Sequence, residues 1–192
     1  MYLKEIKKIL LESLELKQSL LTEENLLATI DELVEELVAH LKAGKSLYLC
    51  GNGGSAADAL HIAAEFSGRF YLNRPGLSVE ALNVNEAALT AISNDFGFEY
   101  LFARLLESKA KKGDMLWVFT TSGKSPNILK VLEKAKEMDV RTVAFSGQNT
   151  EELHLARQII AVPSKVTPRI QEAHMLIAHI ICELVENKMF NV

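Results

Sequence analysis

Two segments rich in glycine and hydroxyl residues have the composition of phosphate-binding loops. The first, Cys50 to Ser55, reads CGNGGS, and the second, Thr120 to Ser125, reads TTSGKS. Glycines let a backbone turn tightly and approach a ligand closely. Each segment follows an apolar run and opens a predicted helix, where free N–H groups and the positive end of the dipole favour an anion. We therefore predict two loops that hold a phosphate group with neutral donors.

Both loops have alternative interpretations. Gly51, Gly53 and Ala56 fit the loose dinucleotide pattern G-x-G-x-x-G/A, but no acidic residue ends a clear second strand about 20 residues later to bind a ribose. Gly123-Lys124-Ser125 resembles the end of a nucleotide P-loop, yet that motif needs a glycine where Val118 stands. Tight turns without a ligand stay possible for either loop alone. The shared design of the two loops favours a phosphate.

A second group of residues has the spacing of metal ligands. His61 and Glu65 project from one face of a predicted helix, one turn apart. On the last predicted helix, Gln171 and His179 lie about 80° apart, whereas His174 and His179 lie about 140° apart and should not share a site. Two imidazoles and a carboxylate favour zinc over magnesium or calcium, with Gln171 as a weak ligand. The competing interpretation is that these are ordinary core or surface residues.

Composition limits the classes of function. The chain has 192 residues, 48% of them hydrophobic, and a formal net charge of −4. This charge gives no field that would attract nucleic acid or an anionic membrane. Cys50 and Cys182 are too few for a disulfide framework. The first residues lack the apolar core of a signal peptide, and no apolar run is long enough to span a membrane, so we predict a cytoplasmic protein.

The elements that must position these residues alternate between strand and helix. This order predicts an α/β fold with a mostly parallel, doubly wound sheet, in which ligands bind at the carboxyl ends of the strands. The predicted strands are Leu47 to Cys50, a weaker Leu77 to Leu82, Met115 to Phe119, Arg141 to Phe145 and Gln158 to Val162. The predicted helices between and after them are Ser55 to Gly68, Glu86 to Ser93, Phe98 to Lys111, Ser125 to Met138 and Thr167 to Asn187. His40 and His154 have no neighbouring ligand types and are interpreted as structural.

Residues 1–43 read as a pair of helices that precede an α/β unit over 44–192, with no linker, so a single domain over 1–192 is predicted. Thr22 is the expected N-cap of the second helix, and Gly44 its end. The first helix has an apolar face with two possible partners, its own domain or a second subunit. That face comprises Leu3, Ile6, Leu10 and Leu14.

Four segments together resemble the phosphoheptose isomerases, which have the SIS fold. They are the two loops, the stretch NDFGF at 94–98, and RIQE at 169–172. The similarity runs along the whole chain, including the two N-terminal helices. It implies a three-layer sandwich around a five-stranded parallel sheet, a homotetramer, and isomerisation of sedoheptulose 7-phosphate to D-glycero-D-manno-heptose 7-phosphate. That product would feed ADP-heptose synthesis for the lipopolysaccharide core.

The resemblance also implies the site residues. One zinc per subunit would be bound by His61, Glu65, Gln171 and His179. Lys124 departs from the asparagine often found there, without removing a hydroxyl. The substrate would contact Asn52, Gly53, Gly54, Ser55, Glu65, Asn94, Asp95, Thr120, Thr121, Ser122, Ser125 and Gln171.

Aldose–ketose exchange moves a proton between neighbouring carbons through an enediol, while another group serves the oxygens. Glu65 is the candidate base and His179 the candidate acid, although both are also candidate metal ligands. Two alternatives stay open. Some SIS proteins bind the bacterial replication initiator without catalysis, but these lack the acid and last histidine that are present here. Another SIS isomerase would act on a different sugar phosphate.

Overall fold

The computed structural model describes residues 2–190. No helix in this range is long and apolar enough to cross a membrane. The helices are α1 (Leu3–Leu20), α2 (Glu24–Lys42), α3 (Gly54–Ser67), α4 (Glu86–Phe96), α5 (Leu101–Lys109), α6 (Pro126–Glu137) and α7 (Thr167–Phe190). The strands are β1 (Leu47–Gly51), β2 (Val79–Ala81), β3 (Met115–Thr120), β4 (Arg141–Ser146) and β5 (Gln158–Ala161).

The strands form one parallel sheet in the order β2-β1-β3-β4-β5. From β1 the chain continues to β2 on one side, and β3, β4 and β5 are added on the other side, so the strand order reverses between β1 and β3. These two strands are neighbours, with Gly51 opposite Phe119. Their carboxyl ends therefore meet at the switch point, the place where ligands bind in open α/β sheets. The predicted five-stranded parallel sheet flanked by helices is confirmed.

Alternate residues of the strands enter two separate cores, as the period of a strand requires. Leu49, Trp117 and Phe145 face α2, α3 and α7. Cys50 and Val118 face α5 and α6. Because both faces of the sheet are covered by helices, the strands are apolar at nearly every position, which explains their continuous hydrophobic runs.

The second helix begins differently from the prediction. Glu23 occupies the N-cap position of α2 without a side-chain cap, and the Thr22 hydroxyl donates instead to the Ser19 carbonyl, at 3.0 Å. The N-cap role of Thr22 is therefore wrong, because this hydroxyl bonds back to the end of α1. Gly44, with a φ of 71°, follows the end of α2 as expected.

The apolar face of α1 is not covered by its own chain. Leu20 is the buried residue of this helix. Two hydrogen bonds join α1 to α7: the Ser13 hydroxyl donates to Glu172, and Arg169 donates to the Ile9 carbonyl. The predicted face is exposed at Leu3, Ile6, Leu10 and Leu14. Packing of this face within its own domain is excluded.

The predicted helix from Phe98 to Lys111 is shorter than expected. Residues 98–100 form a single 3₁₀ turn, and α5 begins at Leu101. Gly97, with a φ of 96°, separates this turn from α4, since a side chain would be strained in that conformation.

Candidate active site

The two predicted loops come together because they follow neighbouring strands. They enclose a cavity of about 230 Å³, which we term the loop cavity. Its lining residues are mostly hydroxyl, amide and glycine residues: Asn52, Gly54, Ser55, Phe119, Thr120, Thr121, Ser122, Ser125, Thr167 and Gln171. Phe119 and Thr167 were not predicted. Among the described residues, no acidic side chain lines the loop cavity, so no carboxylate there repels a phosphate.

The hydroxyl groups of the second loop are oriented by the loop itself. The buried Thr120 Oγ1 accepts the N–H of Gly123 at 3.2 Å, and Ser122 Oγ accepts the N–H of Lys124 at 3.2 Å. Each hydroxyl uses an oxygen lone pair for the loop, which leaves its proton free to donate. The loop therefore presents donors suited to an anion.

The first loop is held by a residue that sequence reasoning missed. The side-chain amide of Asn52 donates to Asn127 Oδ1, and that of Asn127 donates back to Asn52 Oδ1, both at 2.8 Å. Asn127 is almost fully buried near the start of α6. No spacing in the sequence relates these two asparagines; only the adjacency of the loops does.

Gln171 reaches the loop cavity from α7. It lies so close to Gly54 that a Cβ at this glycine would be 2.5 Å from Gln171 Nε2. Any side chain at position 54 would therefore displace the amide end of Gln171, so glycine at this position leaves room for Gln171. Gln171 lines the loop cavity, and its contact with the substrate stays a prediction.

His61, Glu65 and His179 form a compact cluster where α3 and α7 pack together. His61 Nε2 lies 3.0 Å from Glu65 Oε1 and 3.3 Å from His179 Nε2. One ligand atom from each residue lies within 4.8 Å of the other two. The side chain of His61 is half exposed and that of Glu65 is 25% exposed, so solvent and small ligands can reach the cluster.

The spacing of these three donors is compatible with a bound metal ion. A tetrahedral ion bound at about 2.0–2.1 Å to nitrogen and oxygen ligands separates neighbouring ligand atoms by roughly 3.3 Å. The separation between the His61 and His179 nitrogens is 3.3 Å, and that between His61 and Glu65 is 3.0 Å. Gln171 as a further ligand stays a prediction.

Burial influences the electrostatics of the cluster. Burial, followed by the nearby His61, lowers the pKa of the His179 imidazole, and Glu65 opposes this shift. A neutral imidazole is the form that binds a metal. Asp58, one turn before His61 on α3, has a buried Oδ2 without a hydrogen-bond partner among the described residues, and burial raises its pKa to about 6 while His61 lowers it. Sequence reasoning missed Asp58, although its spacing from His61 is that of a helical neighbour.

Several predicted residues lie outside the loop cavity. Gly53 belongs to the first loop but does not line the cavity, and Glu65 belongs to the cluster. Asn94 and Asp95 lie at the exposed end of α4, where the Asn94 amide donates to Asp95 Oδ1 at 2.9 Å. The substrate contacts of these four residues stay predictions.

The other histidines bond to backbone carbonyls. His174 is fully buried, with its Nε2 3.1 Å from the Ser146 carbonyl, and it is not part of the cluster, as its direction on the helix predicted. His40 Nε2 lies 2.9 Å from the Ser46 carbonyl, and His154 Nδ1 lies 3.4 Å from the Glu151 carbonyl. These contacts agree with structural roles.

A larger cavity lies elsewhere on the molecule. It measures about 530 Å³ and lies beside His40, Arg141 and Arg157, at the amino end of β4. Neither loop and no member of the cluster lines it. The loop cavity is smaller, but it is the one at the switch point of the sheet.

Comparison with known proteins places these features in a family. The family model of the SIS domain matches residues 5–147. The chain is 45% identical to the phosphoheptose isomerase of Aneurinibacillus thermoaerophilus over 186 residues, 96% of this chain and 94% of the relative. It is 46% identical to phosphoheptose isomerase 2 of Campylobacter jejuni over 93% of this chain and 90% of the relative.

Solved structures agree with the sequence relatives. The structure of a phosphoheptose isomerase from Francisella tularensis has a TM-score of 0.92 at 29% identity, over 97% of this chain and 99% of that chain. The structure of the phosphoheptose isomerase from Neisseria gonorrhoeae has a TM-score of 0.88 at 31% identity, over 97% of this chain and 100% of that chain. The similarity includes the two N-terminal helices, because it covers nearly the whole chain.

Proposed function

Because this chain belongs to the phosphoheptose isomerases of the SIS domain family, we propose that it converts D-sedoheptulose 7-phosphate to D-glycero-D-manno-heptose 7-phosphate. The observation that carries this proposal is that α3 and α7 both run from the loop cavity to the His61–Glu65–His179 cluster. From Ser55 to His61 the rise along α3 is about 9 Å. This span suits a seven-carbon chain with its phosphate in the loop cavity and its first two carbons at the cluster.

The chemistry proposed for the cluster is a proton shift between the first two carbons. The Glu65 carboxylate takes a proton from C1 of the ketose, and the resulting enediol receives that proton back at C2. His179 moves the compensating proton from the oxygen on C1 to the oxygen on C2. The bonding electrons stay within the sugar, so no external oxidant or reductant is needed. Atoms and charge therefore balance as an isomerisation.

We propose that His61, Glu65 and His179, with Gln171, bind one zinc ion per subunit. When bound, the ion would supply a Lewis acid that polarises the carbonyl group of the sugar. Glu65 and His179 then have two roles each. The carboxylate has two oxygens and the imidazole two nitrogens, so one atom of each can bind the metal while the other carries a proton. The fit of the cluster to a tetrahedral ion supports this assignment.

The test of the function is an assay on sedoheptulose 7-phosphate with protein purified without chelator. We expect isomerisation that chelator removes and added zinc restores. A panel of shorter ketose phosphates is the control for chain length, and we expect these to react far more slowly. Absence of turnover on the heptulose, with turnover on a shorter ketose, would overturn the assignment in favour of another sugar phosphate. Absence of turnover on every ketose, with no bound metal, would favour the non-catalytic, initiator-binding alternative.

We also propose that the protein is a homotetramer. The exposed apolar face of α1 supports an assembly, because four large apolar side chains in one stripe are open to solvent in the isolated chain. Closed symmetric oligomers are the usual way to cover such a face. Light scattering at micromolar concentration tests the proposal; a stable, active monomer would contradict it.

A cytoplasmic location completes the proposal. Cys50 and Cys182 are both buried and unpaired, as is usual where thiols stay reduced. In this proposal the product enters ADP-heptose synthesis. Fractionation of the native cells, with detection of the protein in the cytoplasmic fraction, tests the location.

A further inference from the structure

A buried ion pair between Arg74 and Glu186 lies next to the His61–Glu65–His179 cluster, where Arg74 donates to the Glu65 carbonyl. The side chains of Arg74 and Glu186 are 3% and 1% exposed, and Arg74 Nε donates to Glu186 Oε1 at 2.7 Å. Glu186 also accepts three consecutive backbone N–H groups, those of Phe70, Tyr71 and Leu72, at 3.2, 2.7 and 3.0 Å. Burial raises the pKa of Glu186, but these N–H groups and Arg74 outweigh burial and lower it below its ordinary value. The carboxylate is therefore charged at neutral pH and saturated with donors.

The two Nη atoms of Arg74 donate to carbonyls at the end of α3 and in the segment that follows it. Its Nη2 donates to the Glu65 carbonyl at 2.9 Å, and its Nη1 donates to the carbonyls of Phe66, Gly68 and Pro75 at 2.8, 3.3 and 3.1 Å. The last carbonyls of a helix have no partner within the helix, and a cation there also interacts favourably with the helix dipole. Arg74 thus caps the turn of α3 that carries Glu65.

Glu186, the other member of the ion pair, lies on α7, the helix that carries His179. It lies two turns after His179 on α7, and residues seven apart occupy the same side of a helix. Glu186 accepts a hydrogen bond from the backbone N–H of Phe70. The ring of Phe70 packs against the His179 ring, with the ring centroids 5.8 Å apart. One ion pair is therefore hydrogen-bonded to the turn that carries Glu65 and to the segment that packs on His179.

A buried ion pair is weak support for stability alone, because apolar residues of the same volume often stabilise a fold as well. The pair can instead fix the positions of the groups around it, because the rigid planar guanidinium donates to several acceptors at once. From this geometry we infer that Arg74 and Glu186 are positioning residues that hold Glu65 on α3 and His179 on α7 at the separation needed to bind a metal and move a proton. The catalytic part of this inference rests on the proposed function; the geometric part does not.

The test uses Arg74→Lys and Glu186→Gln. Lysine keeps the charge but has three N–H donors instead of the five that the planar guanidinium offers, and glutamine keeps the shape but loses the charge. We expect zinc affinity, measured by chelator competition on metal-free protein, to fall roughly tenfold to a hundredfold, as for other residues behind a metal site. We expect kcat to fall as well, while KM changes less than about twofold because the loop cavity does not include either residue.

The matched control is Asp114→Asn. Asp114 is also a buried carboxylate that accepts backbone N–H groups, but these belong to Ser46 and Lys111, which precede β1 and β3 and lie outside α3 and α7. We expect this variant to lower the melting temperature with zinc affinity and kcat unchanged. If the Arg74 and Glu186 variants behave in the same way, the pair is only structural and the inference is overturned. Glu186→Gln, which keeps an acceptor oxygen, provides the test if Arg74→Lys does not fold.

A readout without metal or substrate separates this inference from the proposed function. In crystals of metal-free Arg74→Lys we expect the distance between the His61 and His179 Nε2 atoms, 3.3 Å here, to increase. An unchanged distance would overturn the positioning role even in an active enzyme. Conversely, lack of activity in the unaltered protein would count against the proposed function, while an increased distance would still support the positioning role.

Discussion

The side-chain amides of Asn52 and Asn127 pair through two reciprocal hydrogen bonds of 2.8 Å and so join the first loop to α6, the helix that follows the second loop. The first loop is therefore held in part by a residue of α6. Since Asn127 is 2% exposed, loss of its amide leaves Asn52 without a partner beside a buried surface.

Replacing Asn127 with alanine should disorder the loop cavity. We expect the free energy of unfolding to fall by about 1–3 kcal/mol, the cost of leaving a buried polar group unpaired. We also expect KM for the sugar phosphate to rise, since Asn52 lines the cavity. Denaturant unfolding and steady-state kinetics measure the two effects. Asn25→Ala, at an exposed position of α2, is the control and should change neither quantity.

Replacing Ser122 with alanine should weaken substrate binding without unfolding the protein. Its hydroxyl accepts the N–H of Lys124 and has a proton left for the phosphate, and a hydrogen bond to a charged group contributes about 1.5–3 kcal/mol. KM should rise roughly tenfold to a hundredfold. Ser108→Ala, whose hydroxyl bonds to the Leu105 carbonyl far from the cavity, is the control. Unchanged saturation in single alanine variants of Ser55, Ser122 and Ser125 would show that this cavity does not bind the phosphate.

Replacing Glu65 with glutamine should remove the proposed base with little change in shape. Turnover at saturating zinc should fall by at least the roughly 10²–10⁴-fold typical of a lost acid–base group. His179→Gln should cause a similar loss and also reduce zinc retention, measured by metal analysis after dialysis. His154→Gln, an exposed histidine outside the cluster, is the control. Full activity of either cluster variant would contradict the assigned roles.

His174 should make stability depend on pH. Burial lowers its pKa to about 4, and the hydrogen bond to Ser146 only partly opposes this shift. The unfolded chain takes up a proton near the ordinary value of 6.5, whereas the folded protein does so only near 4. Stability is therefore lost as the pH falls through this window, by about 3 kcal/mol in total.

Urea unfolding of His174→Gln at several pH values tests this dependence. The difference in unfolding free energy between the unaltered protein and this variant should shrink as the pH falls from 7 to 4, with zinc affinity unchanged. A constant difference across this range would show that His174 does not titrate as described, and loss of zinc binding would show that it belongs to the cluster.

Replacing Leu10 with lysine should dissociate the assembly. Leu10 is 63% exposed in the single chain, so the substitution should leave the fold of the subunit intact. Light scattering should show a smaller particle than for the unaltered protein. Leu21→Lys, exposed beyond the end of α1, is the matched control and should keep the assembly. An unchanged particle size for Leu10→Lys would place the subunit contacts elsewhere.

Local patterns in the sequence predict the order of the elements and the type of ligand that the loops would bind. Continuous apolar runs such as Met115 to Phe119 predict strands buried on both faces, and the glycine and hydroxyl residues after two of them predict a phosphate site. The helical spacing of His61 and Glu65, and the exclusion of His174 by its direction on α7, also follow from local geometry. These features depend on residues close together in the chain.

Contacts between residues far apart in the chain could be seen only in the folded structure. The meeting of the two loops follows from the pairing of β1 with β3, which brings Asn127 to Asn52. The contact of His61 with His179, and the ion pair of Arg74 with Glu186 behind it, follow from the packing of α3 against α7. No local period encodes such contacts, because they depend on which elements pack together and how closely. The apolar face of α1 is a further example, because the helical period of its residues predicts a face to be buried but does not specify what covers that face.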